Sequence, residues 1–137
     1  MKYWLVKSEP GSWSWQAHVK KGVEPWDGVR NHQAANNMKA MKKGDRVFFY
    51  HSVNEKQVMG TLEVVREFYP DPTDEKGKFV CVDFKALDEM KTPVTLTAIK
   101  ADEKLQELAL IRQSRLSVMP IDAPSWKRIC KMGGIKP

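Results

Sequence analysis

The residues with the most chemical potential fall in four short groups, two of them at the ends of apolar runs. Ser8 and Glu9 follow Tyr3-Trp4-Leu5-Val6, and His51 and Ser52 follow Val47-Phe48-Phe49-Tyr50. Ser117 lies between Leu116 and Val118, while Trp26, Asp27, Arg30 and Asn31 precede an apolar-periodic segment. Glu9, Asp27 and His51 have the side chains for acid/base work, and Ser8, Ser52 and Ser117 carry hydroxyls. No serine sits in a G-x-S-x-G setting, and there is neither a phosphate-cradling glycine loop nor an H-E-x-x-H. The catalytic inventory is a set of fragments without a complete constellation.

The same residues serve better as a surface for a planar base, which needs faces to stack on and a few groups to read an edge. Trp15, Trp26, Tyr50 and Phe68 are candidate faces, and Ser8, Glu9, Asn31, His51 and Ser117 are candidate edge contacts. Arg30, Arg112, Arg115, Lys7, Lys42 and Lys43 are candidate phosphate ligands. Stacking is worth roughly 1–3 kcal/mol per base and extrusion from a duplex costs a few, so phosphate contacts must supply the surplus.

The elements that must position these groups are legible in outline. Ala34, Met38 and Met41 recur at helical spacing, with Asn31 as N-cap and Gly44-Asp45 as the stop. Tyr3–Val6 and Val47–Tyr50 read as strands, the second short enough to be central. A short helix capped by Ser12 or Ser14 runs to Val19 and closes at Gly22, leaving 22–25 as a loop. Gln57–Arg66 alternates as a half-buried strand in which Gly60 marks a bulge or close backbone approach. Residues 69–78 read as a loop, Phe79–Ala86 as a strand, 93–99 as extended and 102–110 as one helix. Pro124 opens a last helix with Trp126, Ile129 and Cys130 inward and Gly133-Gly134 beyond its end. Five or six strands and three or four short helices without βαβ alternation predict an α+β fold, a small mixed barrel decorated by helices.

Composition sets the remaining bounds. A chain of 137 residues with 42% hydrophobic content is expected to form one domain, residues 1–137, with its own core. No apolar run nears 18 residues and no leader pattern opens the chain, so a soluble cytoplasmic protein without membrane association is expected. Cys81 and Cys130 read as buried reduced thiols, and the three histidines share no metal-ligand spacing with them. Neither metal nor cofactor is expected. A net charge of +6 leans mildly toward a polyanionic partner.

Lys7-Ser8-Glu9-Pro10, Trp26-Asp27-Gly28-Val29-Arg30-Asn31, Met41-Lys42-Lys43-Gly44-Asp45, Tyr50-His51-Ser52 and Arg115-Leu116-Ser117-Val118 together resemble the EVE domain family. This is the PUA-like family of thymocyte nuclear protein 1 and its bacterial relatives. Tyr69-Pro70-Asp71-Pro72 and Pro93-Val94-Thr95-Leu96 fit the same pattern, so the resemblance spans nearly the whole chain. It implies a PUA-like pseudobarrel related to YTH readers of methylated RNA bases and to SET- and RING-associated domains that flip methylcytosine. It also implies a non-catalytic nucleic-acid-binding monomer of the bacterial stand-alone type. The expected partner is DNA with a modified cytosine. The pocket it implies takes Ser8, Glu9, Trp26, Arg30, Asn31, Tyr50, His51, Ser52, Leu116 and Ser117. Two other readings stand beside it: an RNA-binding PUA-like module, and an enzyme on a modified nucleotide with Glu9 or His51 as acid/base.

Overall fold

Two apolar runs far apart in sequence lie side by side and parallel: β1 (Tyr3–Ser8) and β3 (Arg46–His51), with Tyr3 opposite Arg46 and Ser8 opposite His51. Parallel neighbours need a crossover, and here it consists of α1 (Trp15–Lys21), β2 (Val23–Pro25) and α2 (His32–Ala40). The computed structural model describes all residues 1–137. After β3 come the long antiparallel strands β4 (Gln57–Pro70) and β5 (Val80–Thr95), then α3 (Leu96–Ala101), a 3-10 turn (Glu103–Leu105) and α4 (Ala109–Arg112). Strand β6 (Val118–Ile121) and helix α5 (Ala123–Gly133) complete the chain.

The six strands form one mixed sheet in the order β2-β5-β4-β3-β1-β6. This is the expected α+β, PUA-like arrangement with six strands, except that β2 and β6 remain edges, so the sheet is not closed into a barrel. Its core is built from the central strands: Leu5, Val6, Phe48, Phe49, Leu62, Val64 and Phe84 are all fully buried. Each such side chain contributes roughly 1.5–3 kcal/mol on leaving water. Both cysteines are buried and free.

Five stretches differ from the sequence expectation. Val23–Pro25 is a strand, because its backbone pairs with Asp83–Lys85 on the edge of β5. Tyr69 and Pro70 belong to β4, opposite Cys81 and Val80, so the loop starts at Asp71. Extended structure stops at Thr95, whose hydroxyl accepts the Ala98 N–H at 3.1 Å and caps α3; this capping overrides the β-branched composition of 93–99. The single helix expected over 102–110 is broken in two, since Asp102 caps a 3-10 turn and α4 restarts only at Ala109. At the end of α5, Gly133 is still helical and Gly134 takes the left-handed cap at φ 78°.

The bulge anticipated at Gly60 is present as register shifts on both sides of the residue. A Cβ there would lie 2.4 Å from the Trp15 ring and 2.7 Å from the Asp88 carbonyl oxygen.

Candidate nucleic-acid interface

Parallel pairing of β1 and β3 brings two polar strand ends together, and the Ser52 N–H donates to the Ser8 carbonyl at 2.9 Å. Strand β6 runs antiparallel to β1, and the Lys7 N–H donates to the Ser117 carbonyl at 2.9 Å. Three polar groups separated by up to 109 positions therefore share one end of the sheet. Asn31 caps α2 by accepting the Ala34 N–H at 2.9 Å, which holds the Trp26–Asn31 turn over the same end.

A cavity of about 610 Å³ opens between these elements. Ser8, Glu9, Trp13, Trp26, Asn31 and Ser117 are among the groups around it. Trp26 is only 8% exposed; its ring meets Phe49 edge-on at 5.4 Å and Phe84 at 5.7 Å, so one side is fixed by core. The Trp26 backbone N–H donates to the Val82 carbonyl at 2.8 Å. Trp13 supplies a second indole. It precedes the N-cap Ser14 and so stays on the loop facing the cavity, whereas Trp15 is the first helical residue and turns fully inward.

Two histidines hold this aromatic segment. The Trp13 indole N–H donates to His18 Nδ1 at 3.0 Å, and His18 Nε2–H donates to the Phe84 carbonyl at 2.9 Å. The Trp15 backbone N–H donates to His51 Nε2 at 3.0 Å. Ser8 adds a hydroxyl bond to the Trp13 carbonyl. Each histidine accepts through one ring nitrogen, so protonating that nitrogen removes a tie on the 13–15 segment. Burial lowers both pKa values, and for His18 it outweighs the opposing effects of the Phe84 carbonyl and Glu24.

The outer lip of the cavity hangs on Asp71. This buried carboxylate accepts from the Gly28 N–H at 2.8 Å, from Arg30 Nη1 at 3.1 Å, and from the Thr73 N–H and hydroxyl at 2.8 and 2.6 Å. Burial alone would raise its pKa, but these four donors lower it to about 2.

For all three groups the folded state binds fewer protons than the unfolded state, so stability rises with pH. The histidine contribution is fully present above about pH 6.5 and is lost as pH falls toward their lowered folded values. The Asp71 contribution is intact above about pH 3.8 and is lost as pH falls toward 2. Melting temperature measured from pH 8 to pH 3 is expected to fall in two stages, with His18→Gln flattening the first. A flat profile between pH 7 and 5 would contradict the histidine ties.

The sequence-derived site is thus partly assembled in one place. Ser8, Glu9, Trp26, Arg30, Asn31 and Ser117 line the cavity, together with Lys7. Tyr50, Ser52 and Arg115 line a neighbouring cavity of about 480 Å³ that shares Lys7, Glu9 and Ser117 with the first. Leu116 and Arg112 border a smaller adjoining recess with Asn31 and Arg115. His51 is 3% exposed and lines none of these three cavities; its place is behind the wall, against Phe49. Lys42 and Lys43 precede β3 and lie at the opposite end of the strand from His51, where Lys42 approaches Glu67 at 4.0 Å. Trp15 is core, and Phe68 is exposed on β4 away from both cavities. Residue spacing did not reveal Lys56, His18 or Asp71. The alternation of Trp13 and Trp15 does suggest one buried and one partly exposed indole, and the structure makes Trp15 the buried one and leaves Trp13 at the cavity.

No cluster of three or more His, Cys, Asp or Glu side chains is arranged to hold a metal ion, and no helix is long and apolar enough to cross a membrane.

Comparison with known proteins matches this geometry to a family. The EVE domain model covers residues 2–132. A Rhodopseudomonas palustris protein solved by NMR is 57% identical, with a TM-score of 0.93 over 98% of this chain and 94% of that one. Human thymocyte nuclear protein 1 is 30% identical over an alignment that covers 87% of this chain and 68% of that protein. A crystal structure of the human THYN1 protein in complex with 5-methylcytosine-containing DNA superposes with a TM-score of 0.88, at 28% identity and with both chains fully covered. On the family model and these relatives together, the chain belongs to the EVE domain family.

Proposed function

We propose that this protein is a non-catalytic reader of a modified base in DNA, taking one base edge-first into the cavity between Trp13 and Trp26. The observation that carries the reading is that cavity: two indoles and a small set of polar groups around about 610 Å³. Its size falls in the range of small-ligand pockets, roughly 300–1,000 Å³. Cytosine offers an exocyclic amino donor, and a carboxylate is its natural acceptor. Glu9 makes no ion pair within the protein and stands at the cavity wall, so its oxygens remain open to that amino group. Asn31 spends its oxygen on the helix cap and keeps an amide donor for a ring acceptor. The human relative's complex with 5-methylcytosine-containing DNA supports the same ligand class.

An acid/base role for His51 is disfavoured, because its Nε2 is occupied by the Trp15 N–H and the ring is buried. RNA binding is separated by the experiment itself. Tryptophan fluorescence is titrated with short DNA carrying cytosine, 5-methylcytosine or 5-hydroxymethylcytosine, and with RNA of the same sequence, at two salt concentrations. The reading expects tighter binding to one modified DNA that persists at the higher salt. Glu9→Gln is expected to lower affinity for that DNA about tenfold, within the ~1–3 kcal/mol by which a good base contact discriminates. Identical curves that collapse together with salt would leave only phosphate attraction and overturn the proposal.

A further inference from the structure

Beside the cavity proposed for the base lies the second one, of about 480 Å³, with a basic lining. Lys7, Lys56 and Arg115 line it, with Glu9 as the one carboxylate on its wall. None of the three cations forms an ion pair within the protein; Lys7 Nζ instead donates to the Ser114 carbonyl at 2.8 Å. Burial, and then the proximity of Lys56, lowers the Lys7 pKa, as happens where positive charges crowd without an anion between them. Between the cations the wall is apolar, formed by Leu96 and Leu110.

Tyr50 is the second, independent sign. Its side chain lines this cavity with the residue only 2% exposed, and the phenol makes no hydrogen bond within the protein. The hydroxyl is not enclosed by the protein, so it opens onto the cavity with its hydrogen-bonding capacity free for a ligand. Burial pushes its pKa up to about 12, which keeps the hydroxyl protonated and able to donate.

We infer that the second cavity is a subsite for the nucleotide next to the read base: its phosphate lies on Lys7, Lys56 and Arg115, its base or sugar rests on Leu96 and Leu110, and it accepts a hydrogen bond from Tyr50. Lys7, Glu9 and Ser117 are the ridge between the two cavities, so one backbone step over the ridge links the two ligands. The protein then recognises a dinucleotide step in a strand that is single or locally opened. This rests on the base-reading proposal for the first cavity.

The test uses the full chain and labelled single-stranded 11-mers with one central 5-methylcytosine, read by fluorescence anisotropy. Three 5-methylcytosine strands are compared, intact, abasic at the 5′ neighbour and abasic at the 3′ neighbour, beside an intact strand with unmodified cytosine. One abasic strand is expected to bind at least ~5-fold more weakly than the intact strand while the other does not, in line with loss of one base contact. Tyr50→Phe keeps the ring and is expected to weaken the intact strand by ~5–10-fold. Lys56→Ala should weaken every strand and flatten the salt dependence. Equal binding of all three strands, with Tyr50→Phe like the unsubstituted protein, would overturn the inference. Losses in Lys56→Ala without any abasic effect would reduce the cavity to a phosphate contact and equally overturn it. If the flanking-base effect persists while cytosine and 5-methylcytosine bind alike, the base-reading proposal fails and the subsite stands. If the modified base is preferred without a flanking effect, the reverse holds.

Discussion

Trp26→Ala is expected to remove the preference for a modified base and to cost about 3–5 kcal/mol of stability, the range for emptying a buried large aromatic site. Both effects have one origin. The indole closes the core on one side, against Phe49 and Phe84, and lines the cavity with what remains of its surface. Loss of a stacking face corresponds to about 1–3 kcal/mol per base, or roughly 5- to 150-fold in affinity. Because a destabilised variant could lose binding merely by unfolding, the informative partner is Trp26→Phe. It keeps a planar face on the same backbone and should recover most of the binding at a smaller stability cost. Thermal melting establishes the folded fraction, and titration with methylated and unmodified DNA then reads the preference. An alanine variant that folds and still discriminates would remove the first cavity from consideration as the base site.

The fold was legible wherever local chemistry and tertiary context agreed. Asn31 caps α2, and Ala34 and Met38 face the core, because one polar residue and one apolar stripe specify that helix without help from elsewhere. The strands β1 and β3 announced themselves as apolar runs, and Pro124 marked the first turn of α5. Residue patterns alone do not specify which strands are neighbours. That β1 and β3 pair in parallel depends on a crossover of 37 residues whose path no periodicity records. This pairing decides the site, because it turns two polar strand ends into one rim.

The same reason explains which site residues were placed differently. His51 follows a buried strand and carries a titratable ring, so it reads as a contact residue; the structure uses that ring to hold the Trp15 backbone. Lys42 and Lys43 form a basic pair in sequence, but a six-residue strand carries the chain from them to the far end of the sheet. Lys56 appears in sequence as an unremarkable polar turn residue. Only the return of the chain through α3 and α4 sets it against Lys7 and Arg115.

Gly60→Ala carries the second large expected effect, from the addition of one methyl group at a position that lines neither cavity. The backbone conformation of Gly60 is one that alanine adopts freely, so any cost comes from space and not from torsional strain. The added Cβ would lie 2.4 and 2.5 Å from two carbons of the Trp15 ring and 2.7 Å from the Asp88 carbonyl oxygen. Neither neighbour yields easily. Trp15 is fully buried, donates its indole N–H to Glu89 at 2.8 Å and packs edge-on against Phe49 at 5.5 Å; Asp88 is held in β5, and its N–H donates to the Thr61 hydroxyl at 3.2 Å. Overpacking costs typically 1–3 kcal/mol, and with both partners fixed the upper end or more is expected, a fall of about 10 °C in melting temperature. The damage should reach the cavity as well. A shifted Trp15 withdraws the N–H that His51 accepts and drags Trp13, two residues earlier, from its tie to His18. Trimming the ring in Trp15→Leu/Gly60→Ala should recover part of the loss relative to the sum of the single variants, which denaturant unfolding of the four proteins would measure as a coupling energy. Additive single effects, or a Gly60→Ala protein within about 0.5 kcal/mol of the unsubstituted one, would mean that the bulge accommodates a side chain and that the contact with Trp15 does not position the wall.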